Sequence, residues 1–241
     1  MEKNNLIPAA FIAIGLIVAG WFVGHGFVKA RSADRYVTVK GVAEREVQAN
    51  VALWPLRFVA TSDNLAEAQN RIKKSSAAVF SFLKHSGIDS SSTEVQKIEV
   101  TDVLANPYRS GTTQSRYIIA QTIMVRTNQI EKIVRASQSV GALVDAGVVL
   151  SSVGGPESGP TYLFTDLNTL KPDMIAEATA SARKAAEQFA KDSGSKLGGI
   201  LRASQGVFEI LPRDRAPGVY EGTQLNKTLR VVTTVEYSLE D

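Results

Sequence analysis

The chain has 241 residues, 44% hydrophobic and 21% charged, with 18 Gly, 8 Pro and no Cys. Such fractions exclude a collagen, a coiled-coil rod and a wholly disordered chain, and the length allows one large or two small domains. Without cysteine there is no disulfide scaffold, thiolate zinc site, iron–sulfur cluster or cysteine nucleophile.

The net charge is +3. Lys3, Lys29, Arg31 and Arg35 against Glu2 and Asp34 account for most of it, and residues 36–241 are left nearly neutral. A nucleic-acid binder carries a basic stripe on its folded part. None is present here, so no nucleic-acid partner is expected.

Residues 1–35 form the first segment. No formal charge falls between Asn4 and Val28, and Leu6–Val23 is almost entirely apolar. A membrane-spanning helix needs about 20 such residues, so one N-terminal transmembrane helix is expected, with contact to the membrane through residues 6–28. Pro8 falls in its first turns, and Trp21 and Phe22 sit near one end as interfacial aromatics do. A cleaved signal peptide is the competing expectation, with small residues around Val28-Lys29-Ala30 as the cleavage site. The length of the apolar run favours a retained anchor. Gly20 and Gly24 make a G-x-x-x-G of the kind that lets helices pack closely in lipid. The flanking Lys and Arg residues do not fix the orientation.

Residues 36–241 predict an α+β fold, a duplicated ββαββ unit with antiparallel sheets and packed helices. Runs 36–48 and 51–61 are rich in β-formers and separated by Ala49-Asn50, which predicts a hairpin; Pro55 predicts a bulge or an edge in the second run. Asn64-Leu65-Ala66-Glu67 has the form of a capping box. It opens a helix whose buried stripe is Leu65, Ala68, Ile72, Ser75, Val79 and Phe82, with Arg71, Lys73, Lys74 and Lys84 on the solvated side and Gly87 as the stop. Strands follow near 94–104 and 115–127, separated by a polar loop.

A second box at Asn128-Gln129-Ile130-Glu131 opens a helix over 128–146 with Gly147 behind it. The order then repeats. Strands near 148–153 and 161–166 flank GGPESGP, and a long helix starts at Pro172 and ends near Ser193, before Gly194. Its expected stripe is Ile175, Ala178, Ala182, Ala185 and Phe189. Strands near 200–211 and 227–239 close the chain, the last with Leu229, Val231, Thr233, Val235, Tyr237 and Leu239 on one face. Two internal repeats, about 36–127 and 148–239, are thus joined by the helix 128–146.

The opening YVTVKGVAEREVQANVALWPLRF, the helix DMIAEATASARKAAEQFAKDSGSKLG and the following GILRASQ resemble the SIMPL-domain family over about Tyr36–Leu239. Many members keep a second glycine where this chain has Ala43, and a Pro-Asp where it has Ala49-Asn50. The resemblance implies an exported or membrane-anchored bacterial protein. Some members are tied to oxidative-stress defence or known as periplasmic immunogens, and at least one forms ring-like homo-oligomers. It implies no catalytic residues.

Sites are sparse in the sequence. His25 and His85 are too far apart for ligand spacing, and His85 suits a helix C-terminus. No G-x-S-x-G, Walker A or H-E-x-x-H occurs, and GGPESGP lacks the Gly-Lys-Ser/Thr of a phosphate loop. The Ser90-Ser91-Ser92 run suits a polar turn. Asp166, Asp173 and Glu177 could approach one another, but acidic residues in a first helical turn are explained by the helix dipole. Trp54 and Phe58 share a strand face and are expected in the core. No catalytic, cofactor or metal residue is therefore assigned.

The expected function is that of a non-enzymatic, self-assembling protein anchored in the inner membrane, its soluble domain facing the periplasm or cell exterior. The strand 227–239 is taken as an open edge, with the loops 105–114 and 212–226 (Tyr108, Arg109, Arg213, Arg215, Tyr220) as contacts between copies in a homo-oligomer. The alternatives are a small-molecule-binding or hydrolytic site at the junction of the repeats, or an adaptor for another protein.

Overall fold

The computed structural model describes residues 6–32, 35–105, 115–151 and 159–240, with side chains given for 11–26 in the first of these stretches. In chain order the elements are helix α1 (Leu6–Ser32), strands β1 (Tyr36–Gln48) and β2 (Val51–Ser62), and helix α2 (Leu65–His85). Strands β3 (Thr93–Asp102) and β4 (Tyr117–Thr127), helices α3 (Ile130–Gln138) and α4 (Gly141–Asp145), and strands β5 (Val149–Leu150) and β6 (Thr161–Leu163) follow. Helix α5 (Leu167–Asp192) and strands β7 (Lys196–Gln205), β8 (Glu209–Pro212) and β9 (Asn226–Glu240) complete the chain. The fold is α+β with antiparallel sheets.

Two compact units form, and they do not follow the expected repeats. One comprises Met1–Glu44, Lys171–Glu209 and Arg230–Asp241; the other comprises Arg45–Leu170 and Ile210–Leu229. Residues 36–127 do run ββαββ, but 148–239 runs ββαβββ, and its first two strands, β5 and β6, have only two and three residues. Both pair with β2 rather than with each other.

In the unit that contains α2 the sheet order is β3-β4-β2-β5, with β6 also on β2. The register Trp54↔Val125, Leu56↔Ile123, Phe58↔Gln121, Ala60↔Ile119 puts every second residue of β2 and β4 on one face. Against that face lie Ala68, Ile72, Val79 and Leu83 of α2, forming a core with Ile130, Ile133 and Leu143 from α3 and α4. Trp54 and Phe58 are fully inside it, and Trp54 meets Phe82 edge to face at 6.4 Å. Leu65 and Phe82, expected in the stripe, are exposed and half-buried. Pro55 sits in the central strand β2 rather than at an edge. It is tolerated because β6 pairs with 51–53 and β5 with 58–59, leaving no ladder beside it on that side for an N–H to join.

The expected β1–β2 hairpin is not formed; the two strands belong to different sheets. Ala49-Asn50 is not a reversing pair, because each backbone amide is held elsewhere. Ala49 N–H donates to the Leu225 carbonyl (2.8 Å) and Asn50 N–H to the Leu163 carbonyl (2.9 Å), so the chain runs on extended.

Asn64 caps α2 by accepting from the Ala66 and Glu67 amides, but Glu67 does not close the box. Its carboxylate accepts from Ser62 Oγ (2.7 Å) and Arg71 (2.6 Å) instead. The second box is not used at all: α3 starts after Gln129, which makes no side-chain cap. The helix expected over 128–146 is broken in two, because Ser139 Oγ donates back to the Arg135 and Ala136 carbonyls and Gly141 follows.

In the unit that contains most of α5, the sheet order is β1-β9-β7, with β8 also on β9. β9 is therefore central, and the expectation of an open edge there is overturned; its alternating face (Val231, Thr233, Val235, Tyr237) is buried as its pattern requires. α5 starts at Leu167, not Pro172, and its buried stripe is Met174, Ala178, Ala182, Ala186 and Ala190. That is one residue out of phase with expectation at its ends, and Phe189 is exposed. Gly41 of β1 sets the phase. A Cβ built there would lie 1.9 Å from the Ala178 carbonyl oxygen and 2.4 Å from the Ala182 nitrogen, so strand and helix backbones are nearly in contact. α2 and α5 end at Gly87 and Gly194, whose φ of 73° and 70° suit glycine in a helix-terminating position.

α1 is apolar all round rather than on one side, and its side chains from 11 to 26 are exposed. Among the described residues no helix is long and apolar enough to cross a membrane.

Candidate functional site

The residues singled out in the sequence do not converge. His85 Nδ1 donates to the Ser81 carbonyl (2.7 Å) in the last turn of α2, and His25 stacks on Trp21 of α1. Ser90–Ser92 form a 3-10 turn leading into β3. Asp166 precedes α5, with its carbonyl accepting from Thr169 Oγ1 (2.6 Å). Asp173 and Glu177 lie on the helix itself. Among the described residues no three His, Asp or Glu side chains gather as metal ligands. Tyr108, Arg109, the end of the expected strand 148–153 from residue 152 on, and residues 154–158 of the Gly/Pro-rich segment lie outside the described residues. The loop 212–226 closes on itself: Arg213 pairs with Asp214 (2.9 Å), and Gln224 bonds both the Asp214 amide and carbonyl. Tyr220 and Arg215 are exposed.

What the structure does build is a groove between the first half of α2 and the strands β3 and β4. α2 packs over β2 and β4, while β3 is the end strand beyond its cover. The register Ile98↔Gln121 and Val100↔Ile119 puts Ile98 and Val100 on the helix-covered face. Because α2 does not reach them, both are 56% exposed. With Leu65, Ile72 and Ile119 they wall a cleft of about 390 Å³, which Gln121 and Lys73 also line. Gln121 is 6% exposed as a residue, and its amide atoms are not among the buried polar atoms without a partner, so the carboxamide opens onto the cleft. Lys73 has no ion pair among the described residues. Among the described residues no carboxylate lines the groove.

Ionisable groups elsewhere in this unit serve the sheet. Hydrogen bonds from Lys97 and Arg57 hold the Glu99 carboxyl below its ordinary range, and the Arg116 guanidinium does the same for Asp102. Ser62 and Arg71 lower Glu67. Their cationic and hydroxyl partners thus favour the ionised form of all three. Burial pushes the Tyr162 hydroxyl up.

The sequence reading missed Gln121 and Lys73. Gln121 carries a legible signal, a lone polar residue at the buried phase of the apolar run YIIAQTIMV. Lys73 carries none, since a lysine beside a buried stripe is ordinary.

A second exposed feature lies on β7, the end strand of the other sheet. Ile200 and Leu201 are 54% and 56% exposed, and register shifts on either side of Ile200 interrupt its pairing with β9.

No curated protein is significantly similar to the chain. The SIMPL family, described as "Protein of unknown function (DUF541)", matches residues 37–237. With this match running from the second residue of β1 to near the end of β9, the chain belongs to the SIMPL family.

Proposed function

We propose that the chain is a non-enzymatic SIMPL protein held in the inner membrane by α1, with its folded part outside the cytoplasm and assembled into a homo-oligomer. The observation that carries the reading is α1. A helix that is apolar all round is stable only when something apolar surrounds it, and among the described residues no protein element covers 11–26. Lipid is the fitting surround for that stretch, and the uncharged run from Asn4 to Val28 extends it in sequence on both sides. Self-assembly is supported by β7, a free edge with exposed Ile200 and Leu201. A contribution to the envelope or to oxidative-stress defence fits that placement.

The test is a pair of fusions after Asp241 in a bacterial host, combined with carbonate extraction of the membranes. The expected result is an active alkaline-phosphatase fusion that stays in the carbonate-resistant pellet. Release into the soluble fraction would remove the anchor. An inactive phosphatase beside a bright cytoplasmic reporter would place the domain inside the cell and favour the adaptor alternative.

A further inference from the structure

We propose that the groove between α2, β3 and β4 binds an aliphatic carboxylate of medium chain length. Its walls are Leu65, Ile72, Ile98, Val100 and Ile119, and two of these are more than half exposed although they lie on the core-facing side of the sheet. Apolar surface in a concave site of about 390 Å³ favours an apolar occupant. That volume admits a chain of roughly ten carbons.

The polar groups select the head. Gln121 is buried as a residue, yet its amide atoms are not among the sealed polar atoms without a partner, so the carboxamide opens onto the groove that it lines. A ligand oxygen in the groove would accept from its NH2 group. Lys73, on the turn of α2 that lines the same groove, supplies positive charge, and no acidic side chain in the lining opposes it. A carboxylate therefore matches both groups, whereas a cationic amphiphile would meet Lys73 with like charge. The site lies within one compact unit and does not depend on membrane attachment or self-assembly.

The experiment uses the full chain in lipid nanodiscs with a diazirine-bearing dodecanoate, and labelled peptides are mapped by mass spectrometry. Labels are expected on peptides holding Leu65–Ser76 and Ile98–Val100. Excess decanoate should remove them and decyltrimethylammonium should not. Lys73→Glu, a surface change that leaves the core intact, should cut labelling of these peptides roughly tenfold, and Gln121→Leu severalfold, while Lys74→Glu leaves it unchanged. Circular dichroism of each variant separates lost binding from lost folding. Equal labelling in wild type and Lys73→Glu would overturn the proposal, as would equal competition by the cationic amphiphile. It would also fail if the groove stays unlabelled and β3 instead cross-links to a second copy.

Discussion

Lys227 is fully buried, and its ammonium donates to the Glu221 carboxylate and to the Glu221 carbonyl oxygen (2.7 Å). The pair is asymmetric, because the Glu221 side chain keeps about a third of its exposure while Lys227 keeps none. Neutralising the anion leaves a buried cation with only uncharged oxygen acceptors. Removing the cation leaves a carboxylate that water can still reach. Glu221→Gln is therefore expected to destabilise by about 2–4 kcal/mol, whereas Lys227→Met stays within about 1 kcal/mol of wild type in either direction. Denaturant unfolding of the two variants checks this, and equal losses would show that the pair is not read correctly from its burial. The same asymmetry explains why a lysine sits at a buried phase of β9. The sequence pattern made position 227 the start of a half-buried strand, but nothing local to it marks the 3-10 turn at Glu221–Thr223 that neutralises the charge.

At the scale of elements, the contact between β1 and α5 is set by the absence of a side chain. The atoms a Cβ at Gly41 would strike belong to the α5 backbone, so no rotamer change relieves the clash. Gly41→Ala is expected to cost about 3 kcal/mol or more, and shortening Ala182 to glycine should not rescue it, since the nearest atom is the Ala178 carbonyl oxygen. Gly199→Ala on β7 meets nothing within 4 Å and should change the thermal midpoint little. A Gly41→Ala protein with the wild-type midpoint would mean that strand and helix are farther apart than described. Ala43, where many family members resemble one another in keeping a second glycine, is buried but accommodates its methyl group.

This contact also shows which parts of each element were legible. Ala178 and Ala182 at the middle of the α5 stripe were legible, and so were its end before Gly194 and the alternation of β9. The phase of the α5 stripe was not, because Ile175 and Phe189 are as apolar as Met174 and Ala190. Only the close approach of Gly41 decides between them. The break between α3 and α4 was hidden for a related reason: the helical periodicity continues through Ser139 while its hydroxyl bonds back to the preceding turn.

On the scale of the whole molecule, element order was legible from β1 to β4 and partnership was not. β1 and β2 are consecutive and β-rich, yet the amides between them answer to carbonyls at Leu163 and Leu225, more than a hundred residues away in sequence. β9 ends the chain and looked like an edge, but it lies between β1 and β7. The ends of this sheet are β1 and β7, and this changes where self-association is expected, β7 being the one that exposes two adjacent large apolar residues. The register shifts around Ile200 interrupt the ladder with β9, which disfavours a continuous strand-to-strand pairing between copies. Contact through the side chains of Ile200 and Leu201 is the better fit. Leu201→Glu is accordingly expected to shift residues 36–241 from an oligomer towards a monomer at micromolar concentration, because a charge placed in an apolar contact loses hydration without gaining a partner. Thr234→Glu on the central strand β9 should leave the assembly mass unchanged if the protein stays folded. Light scattering gives both masses directly. A wild-type ectodomain that is already monomeric would end self-assembly for this part of the chain, and a Leu201→Glu protein of undiminished mass would move the interface away from β7.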